Sequence, residues 1–164
     1  MIQRFSFGHP FPTQSVVLSL PAESGPVPFL TPDGSGWQLT LSEQAAVYGL
    51  GEMPRGINKR GWHYVTNNTD EARHSEDKLS YYGAHNFLLM RDGSTCFGLF
   101  VDFPGKVYYD IGYTRHDLFS FHTETPDYDL YLLSGENENA ICKEFRTLIG
   151  RSYIPPKWAF GLAQ

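Results

Sequence analysis

The feature that most limits the possible fold is a series of short apolar segments at regular intervals along the chain. Each segment has the length of one strand, and Gly, Pro, Asp and Ser residues separate them. The segments are residues 37–41, 87–90, 96–101, 106–111, 118–123 and 128–133. Short strands at such spacing predict an antiparallel β-sandwich.

The strongest local signal is an Asp-Gly pair between two of these segments. Asp92 and Gly93 lie in the stretch 91–95, between the apolar runs 87–90 and 96–101. An Asp-Gly pair favours the tight turns that join adjacent antiparallel strands. The sequence therefore predicts a β-hairpin here.

One helix is predicted near residues 137–149. Its apolar residues recur at helical spacing, and charged residues occupy the other face. The apolar set is Ala140, Ile141, Phe145, Leu148 and Ile149. Gly150 can end the helix because glycine adopts the positive φ found at many helix ends. The predicted fold class is thus all-β in the main, with one short helix toward the carboxyl end.

Length and charge limit the function classes. The chain has 164 residues, which suits one domain. Its net charge is −5 and its pI is about 5.6, and no Lys/Arg cluster occurs, so nucleic acid is not an expected partner. No apolar run has the length of a membrane span, and no signal-peptide pattern is present, so we expect no membrane partner and a cytoplasmic location.

Cysteine and histidine spacing gives no sign of a metal centre. Cys96 and Cys142 lie in apolar surroundings without the CxxC pattern, which predicts buried reduced thiols. No His-x-x-x-His, His-x-His or mixed Cys/His ligand spacing occurs. We therefore expect no metal-binding residues in this chain.

Four short motifs carry a resemblance to a known family. They are YGLGE at residues 48–52, NNTD at 67–70, YGAHNF at 82–87 and GRSYIPPKWAFG at 150–161. In this order they resemble the region just before the catalytic barrel in α-glucosidases of glycoside hydrolase family 31. The resemblance implies a galactose-mutarotase-like sandwich over residues 1–155. It also implies that residues 156–164 begin the first strand of a (β/α)8 barrel.

The last residues support the same division on physical grounds. Pro155 and Pro156 oppose further helix, and residues 158–163 form a nearly continuous apolar run. Such a run is typical of a strand covered on both faces. A (β/α)8 barrel needs about 250 residues, so this chain does not contain one. We expect the apolar run to be exposed here and to favour self-association.

The loop at residues 67–77 contains the candidate site residue. Judged by composition alone, such a polar run is a solvated loop. The resemblance implies that this loop reaches over the barrel mouth and that Asp70 accepts hydrogen bonds from sugar hydroxyls. A carboxylate suits that task because it accepts several hydrogen bonds at once. Better-known family members tend to have a hydroxyl residue two positions later, where this chain has Ala72.

No catalytic residue is assigned within the chain itself. The resemblance implies a parent enzyme that hydrolyses terminal α-linked sugars by double displacement, with its aspartate nucleophile and acid on barrel strands. An α-linked oligosaccharide and the chain's own barrel are the implied partners, and no cofactor is implied. This chain alone is expected to be inactive. In the parent enzyme, the sandwich is expected to brace the barrel and its loop to extend to the substrate pocket.

Two other functions remain open. The first is a non-catalytic sugar-binding module, in which exposed aromatic rings stack on pyranose faces. Its candidate residues are Trp62, Tyr64, Tyr81 and Tyr82. The second is a mutarotase-like epimerase that uses histidine in acid–base catalysis. Its candidates are His63, His74, His85 and His122, of which His85 is better interpreted as a structural residue bonded to backbone.

Overall fold

Two antiparallel sheets dominate the structure, a computed structural model that describes residues 1–34, 36–70 and 72–161. In chain order the strands are β1 (Ile2–Phe7), β2 (Thr31–Asp33), β3 (Gly36–Thr40), β4 (Ala46–Gly51), β5 (Trp62–Thr66), β6 (Ala84–Asp92), β7 (Thr95–Asp102), β8 (Val107–Ile111), β9 (Leu118–Thr123) and β10 (Tyr128–Ser134). The first sheet has the order β1-β10-β7-β6-β4, and the second has the order β2-β3-β9-β8-β5. The predicted antiparallel sandwich is confirmed.

The main core lies between the two sheets. Alternate residues of β8 and β9 point inward from the second sheet, and Val107, Ile111 and Phe119 are fully buried. They meet side chains of β6 and β7 such as Leu88 and Leu99, which are equally buried. Burial of this apolar surface is the main term that favours the folded sandwich.

A second core lies on the outer face of the first sheet, under helix α1 (Glu138–Ile149). Asn137 caps the helix, because its side-chain oxygen accepts a hydrogen bond from Ala140 N at 3.0 Å. The helix buries Leu148 against the sheet and stacks Phe145 on Phe87, with ring centroids 3.9 Å apart. The first sheet is therefore covered on both faces. This explains why β7 and β10 are almost continuously apolar rather than alternating.

The predicted hairpin is confirmed. Strands β6 and β7 pair from Asp92 and Thr95 onward, which leaves Gly93 and Ser94 as the connecting loop. The predicted helix is confirmed as well, and Gly150 follows it with a φ of 86°.

The expected strand at residues 156–164 is not formed here. Lys157–Phe160 make one turn of 3-10 helix, and residues 162–164 lie outside the described part of the chain. A strand needs a neighbour for its backbone hydrogen bonds, and no described residue pairs with this segment. The predicted exposure is nonetheless found, since Trp158 is 81% exposed. We call Tyr153, Ile154, Trp158 and Phe160, all exposed, the C-terminal apolar patch.

The cysteines differ from their prediction in one respect. Both are free thiols, but only Cys96 is partly buried, whereas Cys142 is exposed on α1. Burial raises the pKa of the Cys96 thiol. The prediction of a buried thiol is therefore wrong for Cys142. None of the helices in the described ranges is long and apolar enough to cross a membrane.

Candidate functional site

The candidate site is the loop that joins β5 to β6. Its two arms are bonded to each other near the sheets: Thr69 N donates to Tyr81 O at 3.3 Å, and Ser80 Oγ donates to Asn67 O at 2.8 Å. Asn68 Oδ1 accepts from Ala84 N at 2.7 Å, which fixes the first arm against the start of β6. The base of the loop is thus held by hydrogen bonds rather than by an apolar core.

The far part of the loop is organised by aromatic rings. The His74 ring stacks on Tyr81, with centroids 4.6 Å apart, and lies edge-on to Tyr82 at 5.2 Å. Tyr81 OH donates to Ser75 O at 2.8 Å. The hydroxyl of Ser75 also donates to the carboxylate of Asp77, and this bond lowers the pKa of Asp77. These contacts give the loop a defined shape.

Asp70 lies just beyond the bonded arms and is exposed. Among the residues that the structure describes, its carboxylate has no hydrogen-bond or ion-pair partner. Its neighbour Glu71 is outside the described residues, and Ala72 offers no polar group. The structure therefore presents Asp70 as an available acceptor on an anchored loop.

The two glycines of the YGLGE motif bring β4 against the base of this loop. Gly49 and Gly51 have φ values of 117° and 77°, and the pairing of β4 with β6 shifts register between them. A Cβ atom on Gly49 would lie 2.3 Å from Phe87 O, and one on Gly51 would lie 2.2 Å from Gly83 O. The motif thus serves a close backbone approach, for which only glycine fits.

A polar cleft of about 570 Å³ opens beside the base of the loop. Its polar lining includes the side chains of Asn67, Asn68, Asn86, Asp102 and Glu124. Burial raises the pKa of Asp102, although the Thr13 hydroxyl lies 2.7 and 2.8 Å from its two carboxylate oxygens and opposes this rise. Asp70 is not part of this lining. No local pattern predicts the cleft, because its residues come from five separate segments of the chain.

The structure does not gather the candidate histidines into one centre. His63 and His122 lie on β5 and β9, which β8 separates in the second sheet, and they are also offset along the strands, because His63 pairs with Asp110 and His122 pairs with Tyr108. His74 lies in the loop, and His85 begins β6 in the other sheet. His85 Nδ1 accepts a hydrogen bond from Phe87 N at 3.3 Å, which confirms its structural interpretation. Desolvation of this ring lowers the pKa of His85.

The aromatic candidates for a sugar-binding face do not form one exposed surface. Tyr64 is only 1% exposed, so its prediction as an exposed platform is wrong. Trp62 is partly exposed, but the Arg55 guanidinium lies 4.1 Å from its ring centroid and covers one face. Within the described ranges, no group of three or more His, Cys, Asp or Glu side chains is arranged to hold a metal ion.

Two sheets, an outer helix and a long anchored loop place the chain in the class of β-sandwich domains. Comparison with known families gives the finer assignment: the family described as the glycosyl hydrolase 31 N-terminal galactose mutarotase-like domain matches residues 21–110. The chain belongs to this family. Its galactose-mutarotase-like fold, expected from the motifs, is thereby confirmed.

Individual relatives agree with this assignment. Alpha-glucosidase 2 of Bacillus thermoamyloliquefaciens is 32% identical over 126 residues, which are 76% of this chain and 16% of that protein. Alpha-xylosidase XylQ of Lactiplantibacillus pentosus is 30% identical over 125 residues, with the same two shares, 76% and 16%. The structure of a GH31 dextranase of Flavobacterium johnsoniae complexed with glucose is similar to 82% of this chain and 16% of that one, with 25% identity and a TM-score of 0.69. The chain thus spans about one sixth of these relatives.

Proposed function

We propose that the chain acts as the amino-terminal sandwich of a retaining α-glucosidase or α-xylosidase that removes terminal α-linked sugars. The observation that supports this most strongly is the family match over residues 21–110, together with relatives of both activities in which the matched part is 16% of the length. The chemical step would then belong to a (β/α)8 barrel outside this chain.

In this proposal the sandwich braces the barrel through the C-terminal apolar patch. Four large apolar side chains exposed within residues 153–160 are unusual for a surface that faces water. Contact with a neighbouring domain would remove them from solvent, and the connection through Pro155 and Pro156 would hold the chain extended between the two domains. The same patch would cause self-association when the barrel is absent.

The β5–β6 loop supplies the second part of the function, because it lends Asp70 to the substrate pocket. The carboxylate is exposed and has no partner among the described residues, so it can accept hydrogen bonds from vicinal hydroxyls without breaking an existing contact. The hydrogen bonds of Thr69 and Asn68 at the base of the loop fix the position from which Asp70 extends. Such positioning raises the rate by holding the sugar in register.

The experiment uses the polypeptide translated from a reading frame that continues past residue 164, assayed on α-linked disaccharides. Asp70→Ala removes charge-assisted hydrogen bonds worth roughly 1.5–3 kcal/mol, so kcat/KM should fall about ten- to a hundredfold. Asp70→Asn keeps the shape but is a weaker acceptor, and it should lose less.

The matched control is Glu76→Gln, which removes one carboxylate from the same loop. It should leave kcat/KM nearly unchanged, because surface carboxylates without a specific contact contribute little. Wild-type kcat/KM for Asp70→Ala on every disaccharide, together with a loss for Glu76→Gln, would show that the role assigned to Asp70 is wrong.

A further inference from the structure

A pocket of about 440 Å³ lies under the segment that connects β4 to β5, and two cationic side chains line it. These are Arg55 and Lys59, and the backbone of Gly49, Gly51 and Gly56 forms part of the remaining wall. The chain as a whole carries a net charge of −5, so a pocket with two cations stands out from its surroundings.

Lys59 is buried to an unusual degree for its residue type, with only 5% of its surface exposed. Its ammonium group can donate three hydrogen bonds, yet among the described residues it reaches a single acceptor, Pro54 O at 3.4 Å. The ring of Tyr64 lies 5.6 Å away and adds a weak cation–π contact. Burial lowers the pKa of Lys59, and the positive charge of Arg55 lowers it further.

Arg55 is only partly buried, but its side chain also has donors without a hydrogen-bond partner. Its guanidinium lies 4.1 Å from the ring centroid of Trp62 and 5.4 Å from that of Tyr64. Its Nε and Nη1 atoms are buried and have no hydrogen-bond partner. Each buried donor without a partner costs free energy, and the cost is larger when the donor is charged.

Neither cation forms a salt bridge with a carboxylate in the part of the chain that the structure describes. The salt bridges among the described residues involve Arg4, Arg91, Arg115 and the amino terminus, and neither cation of the pocket takes part in one. The carboxylate of Glu76 acts on Lys59 only through its electric field, which raises the pKa of Lys59 slightly against the two larger effects. The pocket thus combines two positive charges that no salt bridge among the described residues offsets.

We propose that the Arg55–Lys59 pocket is a binding site for the oxyanion group of a small ligand, a phosphate or a carboxylate. Arginine can donate two parallel hydrogen bonds to such a group, and the lysine supplies a point charge beside it. The bound anion would place a negative charge beside the two cations and so offset the repulsion between them. The site is additional to the sugar contact assigned to Asp70 and does not depend on it.

The test is a titration of the ¹⁵N-labelled chain with inorganic phosphate and, separately, with acetate, at constant ionic strength set by chloride. We expect saturable shifts of the backbone amides of Gly49, Gly51 and Gly56 with phosphate, at a Kd below about 1 mM. Acetate carries less charge and should bind more weakly. Arg55→Met and Lys59→Met should each raise the Kd about tenfold or more, while Lys106→Met, which removes one exposed charge elsewhere, should leave it unchanged.

The wild-type titration decides the matter even if a variant folds poorly. Absence of saturable shifts with both anions would overturn the proposal, as would phosphate binding that both methionine variants retain. The Glu76→Gln variant tests whether the pocket binds an external anion or is filled by the carboxylate of the chain's own loop. Stronger phosphate binding in this variant, on top of clear binding in the wild type, supports the proposal. Binding that occurs only in Glu76→Gln would mean that the loop carboxylate fills the pocket and would contradict it.

Discussion

Leu148 offers the sharpest test of how helix α1 is held on the sandwich. Its side chain is fully buried in the outer core with Phe87, Leu133 and Ile141. Leu148→Ala removes three carbon atoms, which at about 0.8 kcal/mol each gives roughly 2.4 kcal/mol of lost transfer free energy. The cavity left behind adds to this loss, so the free energy of unfolding should fall by about 3–4 kcal/mol. For a chain of this length, Tm should fall by about 6–16 °C.

The neighbouring Ile149 provides a matched control, because Ile149→Ala removes a similar apolar volume from an exposed position on the same helix. Ile149→Ala should cost less than about 1 kcal/mol. Urea unfolding followed by circular dichroism measures both variants, and the m-value shows whether unfolding remains two-state. Equal losses for the two variants, or a loss below 1 kcal/mol for Leu148→Ala, would refute the idea that the helix covers a second core.

Three further outcomes are expected. Gly51→Ala should destabilise the chain in thermal unfolding by about 2 kcal/mol or more, because φ is 77° and the new Cβ would lie 2.2 Å from Gly83 O. Because burial raises the pKa of Asp102, the folded state holds its proton more tightly than the unfolded state, and this group's contribution to stability falls as pH rises through that raised pKa. The stability of Asp102→Asn relative to wild type, measured by urea unfolding, should therefore increase from about pH 4 to pH 7. Removal of residues 155–164, and with them half of the C-terminal apolar patch, should reduce self-association in sedimentation velocity.

Much of the sandwich is predictable because its central strands carry strong local patterns. β9 coincides with the predicted segment 118–123, and β10 extends its segment by one residue. The predicted segments do not include β1, β2, β4 or β5. β1 pairs with β10, more than a hundred residues away, and β2 has three exposed residues that only the ladder with β3 defines as a strand. Pairing between distant segments leaves little trace in a local pattern.

The position of the loop was predictable from its polar composition, but several of its neighbours were not. The sequence predicts an exposed Tyr64, whereas the pairing of Tyr64 with the buried Tyr109 places it on the inner face of the second sheet. The period-two alternation of β5 could have indicated this, because His63 and Val65 share the opposite face. Arg55 and Lys59 form no recognisable motif, and only the three-dimensional structure shows that they share a pocket.

The proposal that the chemistry belongs to a separate barrel is tested most directly by hydrolysis of p-nitrophenyl α-glucoside and α-xyloside. The purified 164-residue chain should release no nitrophenol above background, because a retaining glycosidase needs a nucleophile and an acid about 5–5.5 Å apart across the sugar, and neither is assigned here. A polypeptide that joins this chain to the proposed barrel should hydrolyse at least one of the two substrates. Turnover by the purified chain that disappears in Asp70→Ala or Glu76→Gln would contradict the assignment of chemistry to a separate barrel.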